Sequence, residues 1–97
     1  MKIRSVFKKH VYWFHLFVPA KGHVLSEDSN GKVISAEVSI LTESQQLVWE
    51  GKIRVFINQF GTYPQPEDLN RIQASDTAKK MLLIELRRYI KPQKAFL

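Results

Sequence analysis

The sequence predicts an α+β domain, an antiparallel β-meander of three or four strands with a C-terminal helix packed on one face. Two observations support this fold class. Apolar and polar residues alternate with a period of two over residues 32–41 and 47–57, which is the pattern of half-buried strands. Over residues 75–90 the apolar period becomes that of a helix. The length of 97 residues corresponds to a single domain, 1–97.

The first strand is predicted at residues 11–18, which are dense in aromatic and β-branched side chains. Residues 3–7 can extend this strand. A helix is the weaker alternative, because Pro19 would end it early. The run also follows basic residues and precedes Pro19-Ala20, which is the outline of a secretory signal. Histidines and large aromatics within the run favour a strand over a signal.

Two alternating segments complete the predicted sheet. Their apolar positions are Ile34, Ala36, Val38, Ile40, Leu47, Trp49, Gly51, Ile53, Val55 and Ile57. Asn30-Gly31 is a favoured hairpin dipeptide, through which a short strand at 23–26 can pair back onto the first segment. Residues 58–65 are predicted to be irregular, because glycine and proline interrupt them.

Two helices are predicted after the sheet. Pro66, followed by two acidic residues, is typical of a helix start. Ser75 or Asp76 is expected to cap a longer helix that ends near Ile90, before Pro92. This helix is expected to cover the apolar face of the sheet. Its apolar stripe consists of Ala78, Leu82, Leu83, Leu86, Tyr89 and Ile90.

Catalytic and cofactor sites are not indicated by any motif, so we predict that the protein is not an enzyme and has no cofactor. The sequence contains no glycine-rich phosphate loop and no nucleophile elbow. The absence of cysteine excludes disulfides and thiolate metal sites. His10 and His15 are five residues apart and face opposite sides of a strand, while His15 and His23 could meet only across a hairpin. We therefore expect no metal site.

The charge distribution indicates an anionic partner. The net charge is +6, and residues 1–25 contain basic side chains but no acidic one. In the strand at 11–18, alternate residues are expected to face away from the helix, beside basic residues of the segment at 47–57. Aromatic and basic side chains on one sheet face are typical of proteins that bind single-stranded nucleic acid. The candidate binding residues are Lys8, Lys9, Trp13, His15, Phe17, Lys52, Arg54, Arg87 and Arg88.

A protein-interaction domain is the alternative function. A strand that is apolar on both sides usually lies in a sheet covered on both faces, and the sequence offers one long helix. Residues 1–9, residues 58–74 or a second copy of the chain could cover the other face, the last making a homodimer. Glu37 and Glu50 are expected beside the basic residues, which suits a protein interface better than a phosphate track. No membrane span is present, and a cytoplasmic location is expected.

Overall fold

An antiparallel sheet of six strands forms most of the molecule. The computed structural model describes residues 1–18, 24–28 and 30–96. The strands are β1 (Lys2–Phe7), β2 (His10–Phe17), β3 (Val24–Asp28), β4 (Gly31–Thr42), β5 (Leu47–Asn58) and β6 (Gly61–Pro64). Their order across the sheet is β1-β2-β4-β5-β6, and β3 also pairs with β4. The sheet curls into a half-barrel. The α+β class is confirmed, but a meander of three or four strands understates the sheet.

The two helices follow the sheet in the chain. They are α1 (Pro66–Asn70) and α2 (Asp76–Ile90), and a 3-10 segment continues over Lys91–Phe96. As predicted, Ser75 caps α2, because its Oγ accepts a hydrogen bond from the Ala78 N–H at 3.1 Å. Pro92 ends the α-helical geometry by tightening it into 3-10 turns. No helix in the described part of the chain is long and apolar enough to span a membrane.

The core lies between the concave face of the sheet and α2. Helix α2 contacts β1 and β2 at one side of the sheet and β6 at the other, which places it inside the curl. The sheet and the helix contribute to one cluster of buried apolar side chains, as predicted. Its least exposed large members are Phe14, Leu16, Ile34, Ile40, Ile53, Val55, Leu82, Leu86 and Ile90.

Polar contacts fix α2 to β2 near both ends of the helix. The Tyr12 hydroxyl lies 3.5 Å from the Ser75 hydroxyl at the start of the helix. The Val18 N–H donates to the Tyr89 hydroxyl at 3.4 Å near its end. The cap residue Ser75 and the helix residue Tyr89 therefore lie above the beginning and the end of β2, so that α2 runs along that strand.

The expected extension of the first strand by residues 3–7 is wrong. Residues 2–7 instead form β1, which turns back through Lys8-Lys9 and pairs antiparallel with β2. Lys8 has φ +54°, in the left-handed region that glycine or asparagine usually occupies. The sequence does not indicate this turn, because it is formed by two lysines and not by a favoured hairpin dipeptide such as Asn-Gly.

The predicted irregular segment at 58–65 is also wrong, since it contains β6. The turn between β5 and β6 is stabilised by the Asn58 side chain, whose Oδ1 accepts from the N–H groups of Phe60 and Gly61 at 2.8 and 3.0 Å. β6 lies at the edge of the sheet, where the missing N–H of Pro64 is tolerated.

Leu47 does not share the apolar phase of β5. A β-bulge between β4 and β5 pairs Ile40 with Trp49 but Leu41 with Leu47, so Val48 is the extra residue. Leu47 is consequently 56% exposed. Trp49 keeps the core phase and packs over Gly51, where an added Cβ would lie 2.7 Å from the indole ring.

We predict that Leu86→Ala lowers the free energy of unfolding by about 2–5 kcal/mol, because it removes a fully buried side chain at the helix–sheet contact. Urea denaturation measures this change. Ile84→Ala is the matched control on the same helix, since Ile84 is 46% exposed and its truncation should change stability by less than about 0.5 kcal/mol. Equal effects of the two substitutions would contradict the assigned helix face.

Candidate binding face

The outer face of the sheet is the face opposite α2, and it carries most of the predicted binding residues. As predicted, Trp13, His15 and Phe17 lie on it, because Phe14 and Leu16 between them are buried in the core. The strand register extends these residues into rows. His15 is opposite Ser39, which is opposite Glu50; Phe17 is opposite Glu37, which is opposite Lys52.

The three outer residues of β2 differ in exposure. Phe17 is 52% exposed, whereas Trp13 and His15 are half-buried. Arg4 of β1 lies opposite Trp13, and its Nη2 is 2.7 Å from Glu43 Oε1, just beyond β4. Because β2 lies between β1 and β4, this ion pair spans β2 beside Trp13. Phe17 is therefore the outer aromatic of β2 that is most open to a partner.

A groove of about 510 Å³ opens on the outer face beside Phe17. Its volume is within the range of ligand-binding clefts. Two carboxylates and one lysine line it, and the Lys2 side chain lies in the same row as His15. Both positive and negative groups therefore border the groove. The side chains that form it are His15, Phe17, Glu37, Ser39, Glu50 and Lys52.

The His15 side chain lines part of this groove. Its Nε2 is shielded from solvent and has no hydrogen-bond partner among the described residues. Burial, followed by the nearby Lys2 ammonium and the amino terminus, lowers the pKa of His15 below its usual value. This shift favours the neutral imidazole, in which one of the two ring nitrogens is a hydrogen-bond acceptor.

Arg54 lies on the outer face, but α1 engages it. Its Nε and Nη2 each lie 3.0 Å from an oxygen of Asp68, and Nη2 lies 3.2 Å from Glu67. The Arg54 N–H also donates to Asp68 at 2.7 Å, next to the point where β6 ends. The Asp68 carboxylate thus accepts the backbone hydrogen bond that the next residue of β6 would accept if the strand continued. Arg54 fixes α1 to the edge of β5, and its charge is balanced locally.

The Asp68 side chain is 2% exposed and also bonds to Arg71. Hydrogen bonds from Arg54, together with that from Arg71, outweigh burial and lower the pKa of Asp68 to about 2. This cluster was not predicted from the sequence. The two acidic residues after Pro66 indicate that this segment can bind a basic side chain. The sequence does not show that this side chain is Arg54, because only the fold brings β5 next to α1.

The remaining candidate cations are not brought to the outer face. Lys8 and Lys9 form the β1–β2 turn, at the end of the sheet away from Phe17. Arg87 and Arg88 lie on α2, on the other side of the sheet. The Arg87 Nε donates to the Thr62 carbonyl at 3.3 Å, and Arg88 pairs with Glu85 at 3.1 Å. The nine candidate residues are consequently spread over three parts of the molecule.

Metal ligands are not grouped in the part of the chain that the structure describes, where no three His, Asp or Glu side chains could hold an ion. His23 lies outside the described residues, so the possible pairing of His15 with His23 does too. The acidic hairpin tip between β3 and β4 is stabilised locally, since Asp28 Oδ1 accepts from the N–H groups of Asn30 and Gly31.

We predict that the Asp68 cluster makes stability depend on pH. A carboxyl whose folded-state pKa lies below its unfolded value of about 3.9 stabilises the fold above that value. This stabilisation, of roughly 2 kcal/mol, is lost as pH falls from about 5 to 2. Asp68→Asn should remove both the stabilisation and this part of the pH slope. Urea denaturation at pH 7, 5 and 3 measures both.

Glu67→Gln is the control for that prediction. The Glu67 side chain is 79% exposed, so its ion pair with Arg54 should contribute little to stability. If Asp68→Asn kept the wild-type slope between pH 5 and 3, Asp68 would not be the group responsible.

Comparisons with known proteins do not identify the chain. No family model, curated protein or solved structure matches it. Its function is therefore inferred from the residues and geometry of the outer face.

Proposed function

We propose that the protein is a non-catalytic interaction module that pairs with a second copy of itself through the outer face. The observation that carries this proposal is Phe17, a large aromatic side chain that is 52% exposed beside a groove. Exposed aromatics next to grooves are typical anchors of protein interfaces.

The charges of the outer face favour a second copy as the partner. Phe17, Glu37 and Lys52 form one row across three adjacent strands. In a two-fold dimer each side chain meets the same surface of the other copy, so Lys52 of one copy can approach Glu37 of the other. Opposite charges within one patch therefore make that patch self-complementary.

The size of the face also suits a dimer. The molecule measures 41 × 24 × 22 Å, so one long side offers an area of the order of the ~800 Å² that each partner buries in a standard interface. A sheet-to-sheet dimer would cover both sides of β2, as expected for a strand that is apolar on both faces.

Binding of single-stranded nucleic acid is less well supported by the same geometry. Stacking needs an open aromatic surface and unpaired cations beside it. Trp13 is half-buried, and Arg54 is engaged by two carboxylates. Glu37 and Glu50 line the groove together with Lys52 and would repel phosphates.

We predict that Phe17→Asp weakens self-association at least about tenfold, since it places a charge in the centre of the interface. Sedimentation velocity over a micromolar concentration series measures the dimer constant. Phe60→Asp is the matched control: Phe60 is 80% exposed in the β5–β6 turn and should leave the constant unchanged. A monomeric wild-type protein throughout this range would refute the proposal.

Charge exchange tests whether the contact is self-complementary. Glu37→Lys and Lys52→Glu should each weaken the dimer, because each creates repulsion between like charges. The double variant restores opposite charges and should recover most of the wild-type association. Additive weakening in the double variant would contradict a Glu37–Lys52 contact between copies.

A labelled single-stranded oligonucleotide distinguishes the nucleic-acid alternative. Under the dimer proposal, anisotropy at low salt should show only weak binding that does not depend on Phe17 or Trp13. A monomeric protein that binds the oligonucleotide and loses about 1–3 kcal/mol of affinity on Trp13→Ala would reverse the assignment in favour of stacking.

A further inference from the structure

The outer edge of β1 presents backbone groups that the sheet does not use. Met1 and Leu16 exchange two hydrogen bonds of 2.8 Å across β1 and β2. In an antiparallel ladder this pattern recurs at every second residue, so Ile3, Ser5 and Phe7 direct their backbone groups towards β2. Lys2, Arg4 and Val6 must direct theirs away from β2. β1 is the last strand of the sheet order, so these groups have no strand partner in the described residues.

The side chains of this edge are basic. Lys2 and Arg4 lie on β1, Lys8 and Lys9 form the turn that follows it, and residues 1–10 include no acidic side chain. Only Arg4 among the four forms an ion pair in the described structure, with Glu43. An edge of this charge repels a second copy of itself. An antiparallel β1–β1 pair centred on Arg4, for example, would place the two Arg4 side chains opposite each other.

We propose that β1 binds an extended acidic segment of another protein by adding it to the sheet as an antiparallel strand. The outward N–H and C=O groups of Lys2, Arg4 and Val6 supply the hydrogen bonds, as in other cases of β-strand addition. Acidic residues of the added strand lie on the outer face beside Lys2 and Arg4, and the Arg4 guanidinium exchanges Glu43 for a carboxylate of that strand. The charge that prevents β1 from pairing with itself selects this partner.

Apolar contacts complete the site at the end of β1. Val6 and Phe7 are both exposed, and they lie on opposite faces of the strand. The added strand therefore meets an apolar side chain on each face at this end. In its preferred sequence the residues opposite Lys2 and Arg4 are acidic, and the residues on the face of the helix are apolar. This site differs from the outer-face interface, because the hydrogen bonds run within the plane of the sheet.

The test uses an eight-residue peptide in which glutamate and valine alternate, blocked at both ends. In the antiparallel register the residues opposite Lys2 and Arg4 have their side chains on the outer face and their own N–H groups directed at β1. These are the glutamates. N-methylation of the glutamate amides removes the donors to β1, whereas N-methylation of the valine amides removes donors that point away. The two methylated isomers have equal charge and composition.

Amide exchange of the wild-type protein, observed by NMR, reports binding at each residue. In the free protein the amides of Ile3, Ser5 and Phe7 should exchange slowly, and those of Arg4 and Val6 quickly. The glutamate–valine peptide should slow exchange at Arg4 and Val6. The isomer methylated on valine should bind similarly, and the isomer methylated on glutamate at least about tenfold more weakly. A lysine–valine peptide of equal length should not bind.

Three results would overturn the proposal. Slow exchange of the Arg4 and Val6 amides in the free protein would mean that the edge is already covered. Unchanged exchange at millimolar glutamate–valine peptide would mean that the edge does not accept a strand. Equal binding of the two methylated isomers would mean that charge attracts the peptide without strand addition. None of these results depends on dimer formation through the outer face.

Discussion

The register between β4 and β5 is the constraint on which the rest of the structure depends. It pairs Ile34 with Val55 on the concave face and Glu37 with Lys52 on the outer face. A shift of one residue would send the apolar set of either strand to the wrong side of the sheet. The same register therefore creates the surface that α2 covers and the row of charges beside Phe17. The alternation of apolar and polar residues in β4 and β5 therefore produces both the core and the candidate interface.

The parts of the fold that the sequence could predict are those specified by periodicity and local signals. Alternation located β4 and most of β5, and Ser75 located the start of α2. β1 and β6 were missed because Lys8-Lys9 and Gln59-Phe60 are not usual turn dipeptides. The phase of Leu47 was missed because a bulge inserts one residue without any distinctive side chain.

The candidate site was predictable as far as the side-chain alternation of β2, β4 and β5. That alternation placed Trp13, His15 and Phe17 on one face. It could not show that Arg54 is engaged by Asp68, fourteen residues later in the chain and fixed by α1. Alternation also placed Glu37 and Glu50 on that face, but it could not show that they form a groove with Phe17, because that depends on the strand order. Ion pairs between residues far apart in the sequence decide which basic side chains remain available to a partner. The net charge therefore overstates the number of available basic side chains.

The distribution of charge, rather than its total, separates the two surfaces proposed for binding. On the outer face acidic and basic residues alternate, so contact between two copies brings opposite charges together. The charged side chains of β1, Lys2 and Arg4, are both basic, so contact between two copies brings like charges together. Copies that paired edge to edge at β1 and at a second edge would form a sheet that grows without limit. The basic side chains of β1 oppose this pairing. Under the two proposals, identical molecules therefore meet at the outer face, and the edge of β1 binds a strand of opposite charge.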